Sequence, residues 1–258
     1  MKIDVALAVA WLDRFADAVD AHRDQLTQLD SAIGDGDHGS NMQRGCDAVR
    51  TALADAEPAT VGAVLVKAGG TLISKVGGAS GPLYGSALRA AGKALGDGES
   101  ASAEQLVEAL NAAIAALAKL GAAQPGDKTM LDAWTPAVAA LGEAVAGGGG
   151  LPAAAEAAAE AAEQGAAATV PLQARKGRAS YLGPRSIGHR DPGASSTALL
   201  FAALAEATRD APGATKDAPG VTEDAPGVTE DAPGVTEDAP GVTEDAPGVT
   251  EDAPGAAG

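Results

Sequence analysis

Three aspartates stand close together in the segment Leu29–Arg44, LDSAIGDGDHGSNMQR. Asp30, Asp35 and Asp37 fall within eight residues, directly before a stretch with helical periodicity. Carboxylates this close repel one another unless a cation lies among them, and hard oxygen ligands favour Mg²⁺ or Ca²⁺ over zinc. The glycines around them permit turns that direct the carboxylates inward. The segment therefore predicts a divalent-cation site, with Asp30 at the end of the preceding helix.

The spacing does not fit a calcium EF-hand, although Asp35-Gly36-Asp37 begins like one. With Asp35 as position 1, Ser40 stands where the loop glycine is needed and Cys46 stands where the bidentate glutamate is needed. For this segment alone, a loop that merely caps the next helix is the simpler alternative.

A second candidate is GGASGPLYG at residues 77–85, at the start of another predicted helix. Small residues let backbone N–H groups approach an anion, and the positive end of the helix dipole favours a phosphate there. Neither this segment nor Gly126-Asp127-Lys128-Thr129 has the spacing of a P-loop, which argues against a Walker-type site. In isolation, glycines that only pack helices together explain the segment equally well.

Positive charge is concentrated in one connection, Ala174–Gly193, ARKGRASYLGPRSIGHRDPG. Loops of about twenty polar residues inside a compact domain are usually functional or disordered. Because the rest of the chain is acidic, phosphate contact or partner docking explains this asymmetry better than a solvated surface does. The basic residues are Arg175, Lys176, Arg178, Arg185 and Arg190.

Helical periodicity divides residues 1–209 into eight segments. The chain is rich in Ala and Leu and has only two Phe, two Tyr and two Trp, a composition that favours helices over strands. Short connections between apolar-striped helices predict an all-α, antiparallel up-and-down bundle with ligand sites at one end. The predicted helices cover about residues 3–28, 38–54, 59–75, 79–95, 102–120, 128–147, 151–169 and 192–208.

Residues 210–258 form seven copies of a DAPGVTE-like heptad. Seven Asp and five Glu against Lys216 give this stretch −11 of the formal charge of −17, so −6 belongs to residues 1–209. A Pro in every heptad costs about 3 kcal/mol within a helix, and the apolar content is too low to offset chain entropy. We expect a disordered acidic spacer, with a tether for a basic partner as the alternative.

Charge and hydropathy argue against several classes of protein. Outside the basic connection Lys and Arg are scattered, unlike the clusters that grip nucleic acid or an anionic membrane. The single Cys46 cannot form an internal disulfide, the first residues carry charges inside their apolar run, and no uncharged apolar run reaches about 18 residues. We expect a cytoplasmic protein without nucleic-acid or membrane partners.

Four motifs together, IGDGDHGSNMQRG, VGGASGPLYG, PGDKTM and ARKGRASYLGPRSIGHRDPGA, resemble in order and spacing the nucleotide-binding L subunit of dihydroxyacetone kinases. The resemblance covers nearly all of residues 1–209. It implies an eight-helix antiparallel barrel that binds ADP, or ATP, with two Mg²⁺ at one end. It also implies that Asp30, Asp35 and Asp37 are the metal ligands, which bridge Mg²⁺ to the nucleotide phosphates.

The same resemblance implies which residues contact the nucleotide. Three carboxylates and ADP carry about −6 and two Mg²⁺ supply +4, a deficit that Arg178 would reduce as a catalytic residue beside the three aspartates. His38 is then a nucleotide contact and no phosphate carrier. The implied contacts are His38, Gly39, Ser40, Asn41, Ala79, Ser80, Gly121, Thr129, Met130, Arg178, Asp191, Pro192 and Gly193.

The family has two branches. In one, this domain follows a substrate domain and uses exchangeable ATP; in the other it is a free subunit whose ADP stays bound. The chain begins at the first helix of the nucleotide domain, which favours the free subunit. The resemblance then implies that a phosphohistidine protein of the phosphotransferase system rephosphorylates the ADP, and that the phosphoryl group passes to dihydroxyacetone on a separate substrate subunit. The alternatives are an ATP-using kinase component and a non-catalytic, nucleotide-bound regulator that docks a transcription factor.

Overall fold

A computed structural model describes residues 1–212, and the predicted repeat tail from residue 213 onward lies outside the described residues. Nine α-helices and one 3₁₀ segment dominate the described part, which confirms the all-α class. The α-helices are α1 (Val5–Ala21), α2 (Arg23–Ile33), α3 (His38–Ala56), α4 (Val61–Lys75), α5 (Ser80–Leu95), α6 (Ala103–Gly121), α7 (Leu131–Ala146), α8 (Leu151–Ala168) and α9 (Pro192–Asp210), and the 3₁₀ segment is Arg178–Ser186.

Polar side chains fix where several helices begin. Asp4 accepts a hydrogen bond from the Leu7 backbone N–H at 2.8 Å, before α1. Thr60 caps α4 in the same way, and a reciprocal capping box precedes α6. Such caps satisfy N–H groups that have no partner inside the helix. The helix starts predicted from the sequence lie within three residues of the observed ones.

The first predicted helix is two helices in the structure. α1 ends at Ala21, and His22 has φ −106° and ψ 10°, so the chain turns before α2. The His22 ring nitrogen Nδ1 lies 2.8 Å from the Ala18 carbonyl oxygen and helps to close the last turn of α1. α2 continues to Ile33, five residues beyond the predicted end. No glycine or proline marks this break, which is why the periodicity showed one helix.

Two short strands join the start of the chain to the connection between α5 and α6. β1 (Ile3–Asp4) pairs antiparallel with β2 (Ser100–Ala101), and Ile3 lies opposite Ala101. No strand was expected from the sequence, since two residues are too few to show an alternating pattern.

The helices contact one another in a closed order. Each helix from α3 to α8 packs against the next, α9 packs against α1, and α1 packs against α3. α2 lies against α3 and α9. The starts of α3, α5, α7 and α9 and the ends of α2 and α6 all line one cavity. Alternate helices therefore point their N-termini at the same end of the bundle.

The large apolar side chains fill the space between the helices. Trp11, Tyr84, Trp134 and Phe201 are fully buried, and the rings of Trp134 and Phe201 meet edge to face at 5.3 Å. The Trp11 indole N–H donates to the Leu200 carbonyl at 2.8 Å, so its polar end is satisfied inside the core. Along residues 1–212, no helix is both long and apolar enough to cross a membrane.

Candidate functional site

A cavity of about 390 Å³ opens at the end of the bundle where α3, α5, α7 and α9 begin. Each helix N-terminus carries a partial positive charge and N–H groups without helical partners, so four of them together favour an anion. The three clustered aspartates line the same cavity. Its walls therefore offer ligands for a cation beside donors for an anion.

The acidic cluster consists of Asp30, Asp35 and Asp37, whose carboxylate oxygens lie within 4.8 Å of one another. Asp30 belongs to the last turn of α2, and the other two belong to the four-residue connection that follows it. Asp30 Oδ2 accepts the backbone N–H groups of Asp37 at 2.9 Å and His38 at 3.1 Å. These bonds hold the connection against the end of α2.

The cluster fits a divalent cation. Mg²⁺ holds its ligands at about 2.0–2.1 Å, so opposite ligands of one ion are about 4.2 Å apart, and a small rotation of the carboxylates would close the remaining gap. Arg178 approaches the cluster, with Nη2 at 3.0 Å from Asp35 Oδ2, but its side chain is 67% exposed. One solvated guanidinium cannot neutralise three carboxylates, which leaves negative charge for a metal ion.

Gly34 leaves space for the side chain of Asp30. A Cβ at residue 34 would lie 2.0 Å from Asp30 Oδ1, the carboxylate oxygen that does not bind the backbone. Two residues later Gly36 has φ +74°, a conformation that residues with a Cβ rarely adopt. The glycines predicted to shape this connection therefore have separate steric and conformational reasons.

His38 joins three helix starts in a buried hydrogen-bond network. Its Nδ1 lies 3.0 Å from Ser80 Oγ, and its Nε2 lies 2.8 Å from Ser196 Oγ. The Tyr84 hydroxyl lies 2.7 Å from Ser196 Oγ and 3.1 Å from the Thr197 hydroxyl. Burial lowers the pKa of His38, which favours the neutral ring. Both ring nitrogens contact hydroxyl groups, so neither is free to carry a phosphoryl group in this arrangement.

The opposite wall of the cavity is apolar and is shaped by the connection between α6 and α7. Asp132 holds that connection, because its carboxylate accepts the N–H groups of Gly126 at 2.5 Å and Thr129 at 2.7 Å. This wall, which includes Gly121, suits an apolar ligand group. Its apolar side chains are Leu83, Leu117, Leu120, Met130 and Leu131.

Asp191 closes the cavity at the start of α9. Its Oδ2 accepts the Ala194 N–H at 2.7 Å, as a helix cap, while its own N–H donates to Thr169 Oγ1 at 2.9 Å. Burial raises the pKa of Asp191 to about 7. The capping bond opposes this shift but does not cancel it. Because the resulting pKa lies near neutral pH, both protonation states of the carboxyl group are populated there.

The structure brings most of the predicted site residues together. Three of them, Gly39, Ser40 and Asn41, lie outside the cavity lining, and their nucleotide contact stays a prediction. Gly39 packs on α2, Ser40 Oγ donates to the Asp37 carbonyl at 3.0 Å, and the buried Asn41 accepts from Arg44. Those in the lining are Asp30, Asp35, Asp37, His38, Ala79, Ser80, Gly121, Thr129, Met130, Arg178, Asp191, Pro192 and Gly193.

Sequence reasoning missed several lining residues. The apolar wall was missed because leucines that face a cavity have the same periodicity as leucines that face the core. The spacing around Lys128 excludes a P-loop lysine, and the sequence predicts no other role for it. Its position after Gly126-Asp127, in a chain with few lysines, was the available signal for a special environment.

Residues 32–206 match the family model described as the DAK2 domain. The chain belongs to the DAK2 domain family. This DAK2 domain is 44% identical over 204 residues to the ADP-binding subunit DhaL of PEP-dependent dihydroxyacetone kinase 1 from Listeria innocua, a match that covers 79% of this chain and 97% of that protein. It is 42% identical over 210 residues to the corresponding Escherichia coli subunit, with 81% and 100% covered.

A solved structure is similar to the DAK2 domain as well. The crystal structure of the dihydroxyacetone kinase from C. freundii in complex with AMP-PNP and Mg²⁺ matches with a TM-score of 0.59 and 29% identity. The match covers 80% of this chain and 34% of that kinase, so the chain spans about a third of its length. Together with the two subunits, this confirms the family resemblance predicted from the four motifs.

Proposed function

We propose that this DAK2 domain is the nucleotide-binding subunit of a phosphotransferase-dependent dihydroxyacetone kinase. It holds ADP with Mg²⁺, accepts a phosphoryl group from a phosphohistidine protein, and passes it to dihydroxyacetone on a separate substrate-binding subunit. The two DhaL relatives support this proposal because both are named ADP-binding subunits of PEP-dependent dihydroxyacetone kinases and are matched over 97% and 100% of their length.

One observation carries the proposal: an acidic cluster and several helix N-termini share a cavity. A metal–nucleotide complex needs both, since the metal takes carboxylate ligands and the phosphates take N–H donors. Bound Mg²⁺ would neutralise the phosphate charge that phosphoryl transfer develops. Asp30, Asp35 and Asp37 would hold it, and the charge balance with ADP favours two ions.

The remaining walls would position the nucleotide. The start of α5 has no side-chain cap, so its N–H groups next to Ala79 and Ser80 are available to a phosphate. Arg178 lies beside the metal ligands and would contact the transferred group. Phosphoryl transfer depends on positioning and charge neutralisation more than on a protein nucleophile. This set of groups is sufficient for the reaction.

We also infer the finer architecture. The closed order of contacts supports an eight-helix up-and-down barrel formed by α1 and α3 to α9, with α2 as a continuation of α1 across the break at His22. Residues 1–209 form the nucleotide-binding domain in this proposal. The heptad repeats from residue 210 are the acidic tail in this proposal, although their first residue, Asp210, ends α9.

The proposal is tested by reconstituting phosphoryl transfer with a substrate subunit and a phosphohistidine donor. Asp35→Asn should lower the metal-dependent rate at least about 100-fold, because it removes a charged ligand where charge develops. Asp97→Asn is the matched control, since Asp97 is exposed in the connection between α5 and α6 and should leave the rate unchanged. Undiminished transfer by Asp35→Asn would reject the metal assignment.

Nucleotide retention separates the competing functions. A subunit that uses ADP as a resident coenzyme should keep it through prolonged dialysis, and non-denaturing mass spectrometry should then detect ADP and two magnesium ions. Release of the nucleotide within one turnover would favour an exchanging, ATP-using kinase component. Retention of ADP without any transfer in the complete mixture would favour a non-catalytic regulator.

A further inference from the structure

Lys128 is a buried cation at the edge of the cavity, with 1% of its surface exposed. Its ammonium group donates to the carbonyl oxygens of Thr169 at 2.7 Å and Leu172 at 3.2 Å, and to that of His189. A lysine ammonium has three N–H donors and no acceptor. All three protons are therefore used by backbone carbonyls.

This arrangement shows that Lys128 differs from a phosphate-binding lysine. With its protons committed to protein oxygens, the ammonium has no donor left for a nucleotide, although it lies in the cavity wall. Thr169 is also the C-cap of α8, where the negative end of the helix dipole favours a cation. Burial lowers the pKa of Lys128, and the negative charge of Asp191 opposes that shift.

The three carbonyls belong to the two ends of the connection between α8 and α9, residues 169–191. Thr169 and Leu172 open the connection, and His189 stands just before its end. Between these ends lies Arg178, whose Nη2 is 3.0 Å from Asp35 Oδ2. Lys128 thus bonds to both ends of the segment that carries the arginine into the acidic cluster.

We propose that Lys128 is a positioning residue that joins the two ends of the 169–191 connection and thereby places Arg178 against the phosphates of the bound nucleotide. The contact between Arg178 and nucleotide phosphates rests on the proposed function. The role of Lys128 in joining the two ends of the connection rests on the geometry alone. Other bonds also close the base, such as Gly188 N–H to the Val170 carbonyl at 2.8 Å. The Lys128 ammonium differs from them in binding both ends through one group.

The first measurement needs no nucleotide. Tyr181 lies within the connection and is 88% exposed, so chymotrypsin cleavage after it reports how well the connection is held. Lys128→Met keeps an unbranched side chain, one atom shorter than that of lysine, and removes every donor, so it should accelerate this cleavage about 10-fold. Lys119→Met, at an exposed site on α6, is the control with the same substitution and should cleave like the wild type. Equal cleavage in all three proteins would overturn the proposal.

The second measurement asks whether Lys128 acts through Arg178. In the full-length chain with Mg²⁺, Lys128→Met and Arg178→Gln should each raise the Kd for ADP about 10-fold, the order expected for one hydrogen bond to a charged group. The double variant should be no weaker than the single ones, because both remove the same contact. Effects that multiply, or a normal Kd in Lys128→Met, would overturn the proposal.

Lys128→Gln keeps the test decisive if Lys128→Met does not fold. Its amide retains two N–H donors, so it should recover part of the affinity and part of the protection from cleavage. A Gln variant that behaves like the wild type in both measurements would contradict a requirement for the ammonium. Failure of the wild-type chain itself to bind ADP would instead reject the proposed function, while cleavage at Tyr181 would still test how the connection is held.

Discussion

Two connections bring charge to the cavity, and they are built differently. Residues 34–37, between α2 and α3, are four residues long, whereas residues 169–191, between α8 and α9, number 23. The short connection is held by Asp30, which binds two backbone N–H groups and also belongs to the proposed metal site. The long connection is bonded at both ends by Lys128, which stands outside it, and other bonds such as Gly188 N–H to the Val170 carbonyl also help to close it.

The two connections differ in which residues fix their backbone. In the short connection the side chain that fixes the backbone is itself a candidate ligand, so structure and function use the same residue. In the long connection Arg178 is the candidate contact, while buried groups elsewhere support it. Substitutions should therefore couple folding to binding in the first connection and allow them to be separated in the second.

The largest effect is expected at the end of the long connection, in Asp191. The native carboxyl group keeps its proton up to about pH 7, whereas an unfolded aspartate loses it near its ordinary pKa of 3.8. The native state therefore binds more protons between these values, and the free energy of unfolding falls as pH rises from about 4 to about 7. At about 1.4 kcal/mol per unit of pKa, the fall is on the order of 4 kcal/mol.

Asp191→Asn tests this expectation by urea unfolding across that pH range. The amide oxygen still accepts the Ala194 N–H but the side chain cannot ionise, so the contribution to the pH dependence disappears. The variant should be more stable than the wild type at pH 7 and similar to it near pH 4. Parallel pH profiles for the two proteins would show that Asp191 does not titrate in this range.

An intermediate effect is expected in the short connection from Gly34→Ala. Gly34 has φ −139°, which alanine tolerates, so the effect of the substitution comes from the added Cβ. This Cβ would lie 2.0 Å from Asp30 Oδ1 and would displace the carboxylate. The carboxylate would yield by rotating and would lose its bonds to the backbone, at about 1–2 kcal/mol of stability. Affinity for ADP with Mg²⁺, measured by titration calorimetry, should fall about 100-fold, or about 2.7 kcal/mol.

Gly70→Ala is the matched control for that substitution. A Cβ at this position in α4 meets nothing within 4 Å, so the change should raise the free energy of unfolding by about 0.5–1 kcal/mol through helix propensity. Its affinity for ADP should not change. If Gly34→Ala also bound ADP normally, the position of Asp30 would not matter for the metal.

The smallest effect is expected where the long connection meets α8 at the surface. Arg190 forms a two-pronged ion pair with Glu163 at 2.7 Å for each bond, but the Glu163 side chain is 60% exposed. Glu163→Gln should lower the free energy of unfolding by about 0.5–1 kcal/mol at low salt, and less at high salt. Glu160→Gln, on the same helix, provides the control. A larger loss, independent of salt, would mean that this pair holds the connection as firmly as Lys128 does.

Much of the fold follows from local sequence, because each helix has its own periodic row of apolar residues and its own residues that begin and end it. The start of α8 at Leu151 and the start of α9 at Pro192 were predicted at the observed residues. The break at His22 could not be predicted, because no residue there forbids a helix and the periodicity continues across it. The pairing of β1 with β2 likewise depends on contacts distant in sequence.

The candidate site divides in the same way. The three aspartates were predicted from spacing alone. Carboxylates within eight residues of one another must lie close in space in any fold, so their repulsion can be inferred from the sequence. The family resemblance pointed to Arg178 and Asp191. The roles of Tyr84 and Lys128 could not be predicted, since their partners lie more than forty residues away along the chain and are reached only in the folded bundle.

The alternation of helix directions has a practical consequence for handling the protein. α9 begins at the cavity and runs for 19 residues, about 28 Å at 1.5 Å per residue, so it ends at the opposite face of the bundle. The first residues are at that face too, since β1 pairs with the segment that follows α5. A fluorophore or sensor-chip linkage at residue 1 would therefore leave the mouth of the cavity accessible to ligands and to partner proteins.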